Sequence, residues 1–258
     1  MTRRISRRAA LGIAATTALA GCAGPPTAAP PPSSTSRSTT TPPITTPPTT
    51  TTTTTAAPGG SAVEVVRATS GRPEVALTFH GAGPLDITRQ VLALLAKNNA
   101  KITVFAVGTW LQATPDGARM VRDGGHELGN HTWSHPDLEA YQPGPMLTEI
   151  ERCRDELSTV AGTPGTFFRQ SQGQHATARE LVAAGQAGYT RTLSYDVDSL
   201  DWTDPGAAAI RRAVTAATAG SVVSMHLGHP GTVQALPGIL TDLAARGLTP
   251  VTATELLR

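Results

Sequence analysis

The stretch "ALTFHGAGPLD", residues 76–86, joins a run typical of a β-strand to a short loop rich in glycine. The apolar residues before His80 predict a buried strand, and the small residues after it end that strand. In α/β folds the loops that follow strands carry binding and catalytic groups, because core packing constrains them little. We therefore expect His80 to belong to a functional site.

The chain from residue 61 to residue 258 alternates between β-like runs and amphipathic helical patterns, and it is long enough for one domain with a substantial core. Such alternation predicts an α/β fold in which helices connect parallel strands. Periodicity alone does not distinguish a barrel from an open, doubly wound sheet. The β-like runs are EVALTF, ITVFAV, HELGNH, GTFFRQ, YTRTLSYDV and SVVSMH.

Polar residues collect where the predicted strands end. Because the carboxyl ends of parallel strands open on one side of such a fold, we expect these residues to converge although they are far apart in sequence. They are His80, His131, His135, Arg169, Asp196, Asp198, Asp201 and His226.

The segment "GNHTWSHPDL", residues 129–138, places His131 and His135 four positions apart. On one helical turn this spacing puts both imidazoles on the same side, where both can reach one divalent metal. An isolated pair at this spacing is typical of surface or capping histidines. The flanking "GGHELGNH" favours the metal site instead.

Five segments in order resemble the motifs of the polysaccharide deacetylase (NodB-homology) family, and the resemblance covers residues 74–258. They are VALTF, GHELGNHTWSH, FFRQSQG, DVDSLDW, and GSVVSMH with the helix that follows it. The resemblance implies a distorted (β/α) barrel that hydrolyses acetamide groups on amino sugars or esters on sugars. It also implies a divalent metal cofactor, usually zinc.

The resemblance also implies individual roles. His131 and His135 would be metal ligands, and Arg169 would orient the acid–base groups. Asp201 would tune His226, which would protonate the departing amine. These roles agree with general chemistry, since a metal lowers the pKa of bound water toward about 7 and an imidazole is a good proton donor in that range.

The first motif departs from the family pattern, which has two adjacent aspartates where this chain has His80 and Gly81. Three interpretations of His80 compete: a third metal ligand, a general base, or a remnant in a domain that only binds glycan. A hydrogen-bonded strand cap is a further structural interpretation. We favour the ligand, since three neutral imidazoles leave the metal at full charge and a position open for water. Asp198 or the metal would then activate the water.

The remaining candidates concern the substrate. Gly81 and Gly83 suit close approach of the backbone to a ligand and donation of N–H groups to an oxyanion. The arginine motif also departs from its usual proline and aromatic residue, so that Gln172 stands where a substrate contact is expected. Trp202 offers an aromatic face to a sugar ring.

The first 21 residues predict an export signal. A basic start precedes an uncharged stretch too short to span a membrane. "SRRAAL" resembles a twin-arginine signal, and "LAGC" resembles a lipobox that would make Cys22 a diacylated N-terminus. Residues 22–60, rich in Thr and Pro, predict a disordered linker. We expect an exported lipoprotein on the outer face of the cell membrane, facing the cell wall.

Charge and cysteine content exclude other classes. Removing the signal changes the formal charge from +2 to −2, so the basic balance gives no reason to expect nucleic-acid binding. Only Cys153 then remains free, at a position typical of a buried helix face.

We predict a monomeric, metal-dependent hydrolase that removes N- or O-linked acetyl groups from peptidoglycan or a chitin-like oligosaccharide. The alternative is a glycan-binding lipoprotein that has lost catalysis.

Overall fold

The computed structural model describes residues 60–258. The predicted signal peptide, the lipobox with Cys22, and all but the last residue of the linker lie outside the described residues and stay predictions. The strands are β1 (Val63–Val65), β2 (Glu74–Gly81), β3 (Thr103–Ala106), β4 (Glu127–Asn130), β5 (Arg191–Leu193), β6 (Val197–Asp198), β7 (Val222–His226) and β8 (Thr249–Val251).

Helices follow most of the strands, as the alternating pattern predicts. None of those in residues 60–258 is both long and apolar enough to cross a membrane. They are α1 (Leu85–Lys97), α2 (Gly108–Ala113), α3 (Pro115–Asp123), α4 (Pro143–Ala161), α5 (Ala178–Gln186), α6 (Ala207–Val214), α7 (Pro230–Ala245) and α8 (Ala253–Leu256).

All paired strands are parallel, and β2 lies at the centre of the sheet. The strand order is β4-β3-β2-β7-β6, with β8 paired to the first residues of β2. Strands β1 and β5 form a separate parallel pair. Single bridges from Phe168 to Asn130 and to Thr192 connect this pair with β4. The segment 191–198 then runs from β5 to β6, which pairs with β7. The strands therefore form an incompletely closed, barrel-like arrangement of parallel strands, which confirms the predicted α/β fold class.

Two predicted strands are shorter than expected. GTFFRQ contributes only the bridges at Phe168. YTRTLSYDV divides into β5 and β6, because the Asp196 side chain accepts hydrogen bonds from the Val222 amide (2.7 Å) and the Ser221 hydroxyl (2.9 Å). A side chain thus takes the place of a ladder partner at the break.

Alternation along β2 explains why an imidazole stands at its end. Val75, Leu77 and Phe79 belong to the large apolar cluster that the strands share with α1 and α7. The residues between them point to the other face of the strand, where Ala76 joins a second cluster inside the barrel. His80 continues this inward row and so enters the mouth of the barrel.

We predict that the Cys153 thiol is chemically inert in the folded protein. The thiol is fully buried, and burial raises its pKa to about 12. In a chain carrying Cys22→Ser, Cys153 is the only thiol, and iodoacetamide at pH 8 should alkylate it only after unfolding in guanidinium chloride. Alkylation at similar rates in the native and unfolded chains, followed by mass spectrometry, would contradict the burial of this residue.

Candidate metal centre

The register of the sheet brings His80 and His226 together. The two residues are direct partners at the carboxyl ends of β2 and β7. His80 Nδ1 lies 2.9 Å from His226 Nε2, and the ring planes are close to perpendicular. Two residues 146 positions apart in sequence thus meet through strand pairing alone.

His131 and His135 lie on the loop after β4, and this loop is not helical. The prediction of one helical turn is therefore wrong. Thr132 and His135 instead adopt left-handed backbone conformations, with φ of 65° and 59°. The two Nε2 atoms approach to 3.1 Å. Non-glycine residues in this region are strained and occur often at functional sites.

Three contacts hold this loop in place. The Asn130 side chain accepts a hydrogen bond from the Thr132 amide at 2.9 Å. Glu149 of α4 accepts from both the amide and the hydroxyl of Ser134, at 2.8 and 3.0 Å. The Trp133 ring packs on α2, where a Cβ added at Gly108 would lie 2.4 Å from it.

The three histidines fit a divalent metal in donor type and spacing. One ring nitrogen from each of His80, His131 and His135 lies within 4.8 Å of the other two. Two nitrogens bound tetrahedrally to zinc at about 2.0–2.1 Å lie roughly 3.3 Å apart, close to the separation of the His131 and His135 Nε2 atoms. Burial lowers the pKa of His80 and of His131, and the neutral imidazole is the form that binds metals.

Arg169 lies fully buried behind the histidines. Its guanidinium donates to the Leu193 carbonyl (2.7 Å) and the Thr78 hydroxyl (2.8 Å), and it approaches His80 Nε2 at 3.3 Å. Burial lowers the pKa of Arg169 to about 9. This value is still well above neutral pH, so the guanidinium stays charged. The backbone carbonyl of Arg169 accepts a hydrogen bond from His131 Nδ1 at 3.0 Å. His131 Nε2 therefore carries no proton and has a lone pair available.

The hydrogen bonds also define the proton positions on His80. A guanidinium only donates, so His80 Nε2 accepts, and Nδ1 carries the proton that it donates to His226 Nε2. Both nitrogens of His80 are therefore engaged. A cation bound through His80 would replace one of these two contacts.

His226, which is partly exposed, pairs with the fully buried Asp201. His226 Nδ1 donates to Asp201 Oδ1 at 2.7 Å, and the His226 amide donates to Oδ2 at 2.8 Å. The Thr232 hydroxyl donates to the same Oδ2 at 2.6 Å. Burial by itself would raise the pKa of Asp201, but His226 and Thr232 outweigh it and lower the pKa. Asp201 therefore stays ionised and keeps His226 Nε2 directed toward His80.

A groove with a volume of about 340 Å³ opens over the histidines. Its lining contains four of the predicted substrate and catalytic residues, namely His226, Asp198, Gln172 and Trp202. Asp198 accepts from the Leu200 amide at 2.8 Å and from the Trp202 indole at 3.4 Å. The Gln172 amide lies 3.2 Å from His135 Nδ1. Trp202 is 54% exposed, so about half of its surface is accessible to a ligand.

Gly81 and Gly83 were expected to approach the substrate, but the structure gives them a packing role. A Cβ at Gly81 would lie 2.8 Å from Val104, and one at Gly83 would lie 2.6 Å from Gly228. Gly83 also has a φ of 107°, which favours glycine. Both glycines allow protein segments to pack closely, and within the described chain they are not part of the groove lining.

Sequence reasoning missed several supporting residues. Thr232 lies 31 positions from Asp201, and Glu149 lies 15 positions from Ser134, so no local pattern links either pair. The role of Asn130 could have been predicted, since this residue directly precedes His131 in a segment that the sequence analysis identified as a metal site. Gln170 lines the groove beside the histidines, although only its neighbours received a role.

These features define a class: a parallel α/β barrel with a metal-type histidine cluster and a His–Asp pair at its mouth. Residues 67–192 match the family model described as polysaccharide deacetylase. A peptidoglycan-N-acetylglucosamine deacetylase of Bacillus cereus is 32% identical over 189 residues, which cover 71% of this chain and 88% of that protein. The chain belongs to the polysaccharide deacetylase family.

Solved structures agree with this assignment. The Bc1960 peptidoglycan N-acetylglucosamine deacetylase matches with a TM-score of 0.71 and 29% identity, over 76% of this chain and 93% of that one. Wild-type BA3943, described as a CE4 family pseudoenzyme from Bacillus anthracis, matches with a TM-score of 0.72 and 23% identity, over 77% and 70%. The latter likeness shows the fold alone. The chain spans between 40% and 69% of the length of the first curated relatives that it matches.

We predict that Thr232→Val destabilises the fold by about 2 kcal/mol at pH 7, because Asp201 loses a hydrogen bond to its charged form. The folded-state pKa of Asp201 is lowered, so the stability from its ionised form is present above the unfolded pKa and is lost as the pH falls through the folded value. The penalty should therefore shrink as the pH falls below about 4. Urea unfolding of wild type and variant at pH 7 and at low pH measures it.

Thr241→Val is the matched control for this prediction. Thr241 lies on the same helix, α7, but is exposed and bonds only to the Pro237 carbonyl. It should change the free energy of unfolding little at either pH. An equal penalty for Thr232→Val at both pH values would contradict the assigned hydrogen bond.

Proposed function

We propose that this protein is a metal-dependent deacetylase that removes acetyl groups from a glycan of the cell wall or of the extracellular space. The observation that carries the proposal is the convergence of three ligand nitrogens with a hydrogen-bonded His–Asp pair under one open groove. The family supports acyl hydrolysis, and the named relatives support an acetylated amino sugar.

His80, His131 and His135 are the residues that would hold the metal. When bound, a divalent cation such as zinc supplies an acidic water and polarises the acyl carbonyl. The lone pair of His131 Nε2 is already directed toward His135, since its other nitrogen donates to the Arg169 carbonyl. His80 would join them by exchanging its contact with His226 or with Arg169.

His226 is the proton donor in this proposal. Asp201 accepts from His226 Nδ1, so the other nitrogen, Nε2, is the one that exchanges a proton at the groove. Asp201 also fixes the orientation of the His226 ring, so that Nε2 can pass a proton to an amine leaving group. Exchange of the His80–His226 contact would free Nε2 for this step.

Asp198 and Trp202 complete the proposed substrate site. Asp198 is the acidic residue in the groove lining, and its carboxylate can accept a proton from water. Trp202 places an exposed ring beside it, suited to the C–H face of a pyranose. Gln172 lies beside His135 in the groove lining, where its amide can reach a bound sugar.

The location of the protein rests on the N-terminal residues. The twin-arginine pattern, the lipobox at Cys22 and the Thr/Pro-rich linker support a lipid-anchored protein outside the cell. Peptidoglycan or a chitin-like oligosaccharide would be the substrate within reach of such an anchor. We propose a monomer, with no nucleic-acid partner.

A second candidate function is glycan binding without catalysis. One specific observation favours it: both nitrogens of His80 are engaged, by Arg169 and by His226, at the position where the family pattern has a carboxylate. In that case the groove and Trp202 would hold a sugar, and no acetyl group would leave.

We predict that His131→Ala removes metal binding and deacetylation together, because it deletes the most buried of the three ligands. The full chain, expressed with zinc, should contain about one metal ion per molecule. It should release acetate from N-acetylated chitohexaose and from peptidoglycan. His131→Ala should lower both values to background, as measured by elemental analysis and an acetate assay.

His175→Gln is the control, since this exposed histidine lies outside the cluster and contacts Glu64. It should keep both the metal and the activity. Glycan binding by the wild type without acetate release, over zinc, cobalt and manganese, would favour the binding protein instead. Activity in His131→Ala equal to that of the wild type would contradict the proposed metal centre.

We also predict that Trp202→Ala raises KM for chitohexaose about tenfold and leaves kcat within about threefold. The ring would stabilise the bound substrate and its transition state alike, so its loss affects binding rather than chemistry. Initial-rate kinetics at varied chitohexaose concentration provide the measurement. A fall in kcat at constant KM would assign Trp202 to the chemical step.

A further inference from the structure

Tyr195 lies in the groove, and the proposed chemistry gives it no role. It stands in the segment between β5 and β6, and it lines the groove together with Asp198, Ser224 and His226. The residue is only partly buried, so a ligand in the groove can reach it. A phenol offers both an apolar ring and a hydroxyl that can donate and accept a hydrogen bond.

The barrel holds the ring and the backbone of Tyr195 in place. The ring packs against the apolar cluster inside the barrel, and the Arg169 guanidinium lies 5.4 Å from the ring centroid. The Tyr195 carbonyl accepts a hydrogen bond from Gln174 Nε2 at 3.2 Å. The next residue, Asp196, is bonded through its side chain to the start of β7. The phenol is therefore preorganised, and a ligand would not have to order it.

The hydroxyl of Tyr195 lies among side chains that line the groove. Asp198 and Ser224 are direct partners in the pairing of β6 with β7. Ser224 also shares one face of β7 with His226, two residues further on, because side chains alternate along a strand. Both Asp198 and Ser224 are close enough to the Tyr195 hydroxyl to change its pKa. The hydroxyl therefore belongs to the side of the groove that β6 and β7 form.

The phenol keeps its proton at neutral pH. Burial raises the pKa of Tyr195 above its ordinary value, and the charge of Asp198 raises it further. The charge of Arg169 and a hydrogen bond with Ser224 lower the pKa without reversing the shift. A hydrogen bond that lowers the pKa of a phenol is one that the phenol oxygen accepts, so Ser224 is the donor. The proton of the phenol is then available to a ligand in the groove.

We propose that the Tyr195 hydroxyl donates a hydrogen bond to a neutral oxygen of the glycan bound in the groove and so contributes to ligand selection. The acceptor is either the carbonyl of an acetamido group or the oxygen of a sugar hydroxyl. Tyr195 is a ligand-binding residue in this inference and takes no part in proton transfer. The inference rests on the proposed function only in taking a glycan as the ligand.

The test compares the affinity of two sugars for the metal-free full chain, so that no acetyl group is lost during the measurement. Chitotetraose carries acetamido groups and hydroxyls, whereas cellotetraose has the same linkage and carries hydroxyls only. Tyr195→Phe removes the hydroxyl and keeps the ring, with its packing and its contact with Arg169. We expect its Kd for chitotetraose, by isothermal titration calorimetry, to rise about fivefold, which corresponds to one net hydrogen bond.

Tyr141→Phe is the matched control, because Tyr141 is also partly buried but is not part of the groove lining within the described chain. The same substitution there should leave Kd unchanged. A second measurement uses the wild type, which has three tyrosines. Chitotetraose should shift the assigned NMR signal of the Tyr195 Cζ atom and leave those of Tyr141 and Tyr189 unmoved. That readout does not depend on the folding of any variant.

The outcomes are distinct. A loss of affinity for chitotetraose alone assigns the acceptor to the acetamido carbonyl, and a loss for both sugars assigns it to a hydroxyl. Unchanged affinity for both sugars in Tyr195→Phe, an equal loss in Tyr141→Phe, an unmoved Tyr195 signal, or no binding of either sugar to the wild type overturns the inference. Should the wild type bind chitotetraose through Tyr195 but release no acetate when loaded with metal, the proposed deacetylation fails and this inference stands.

Discussion

The guanidinium of Arg169 connects the segments that form the mouth of the barrel. Its N–H groups donate to Thr78 on β2 and to the carbonyls of Leu193 and Ser194, and its backbone carbonyl holds His131. The same guanidinium lies 4.1 Å from the ring centroid of Phe105. A single buried residue, through its side chain and its backbone carbonyl, therefore orients His80 and His131 and defines which of their nitrogens carry protons. Loss of this charge would leave several buried acceptors without donors, which is costly in a core.

This charge also sets the electrostatics of the site. No carboxylate of residues 60–258 forms an ion pair with Arg169, and Asp201 is engaged by His226 and Thr232. The site therefore holds one buried positive charge before any metal binds. A divalent cation held by His80, His131 and His135 would supply an acidic water, and the positive charge of Arg169 beside it would favour the ionisation of that water.

Much of the fold could be predicted from the sequence. Hydrophobic periodicity indicates the helices and strands, and polar residues at strand ends indicate which side of the sheet carries the site. The inward row of β2 ends at His80, and the parallel pairing of β2 with β7 places His226 beside it. Contacts between residues far apart in the sequence could not be predicted in this way. Thr232 reaches Asp201 only because α7 packs beside it. The break in YTRTLSYDV depends on hydrogen bonds from Ser221 and Val222 to the Asp196 side chain. The His131–His135 pair was found for an incorrect reason, since left-handed backbone rather than a helical turn brings the rings together. The glycines at positions 81 and 83 were assigned to substrate, but they serve close packing with β3 and with Gly228.

The central claim is that His80, His131 and His135 bind one cation, and that His80 leaves one of its present partners to do so. A crystal structure of the zinc-loaded protein, with data at the zinc absorption edge, tests it most directly. We expect one anomalous peak about 2.0–2.1 Å from a nitrogen of each histidine. We also expect that the His80–His226 or the His80–Arg169 contact is lost. A peak bound by His131 and His135 while His80 keeps both contacts, or no peak at the groove, would contradict it.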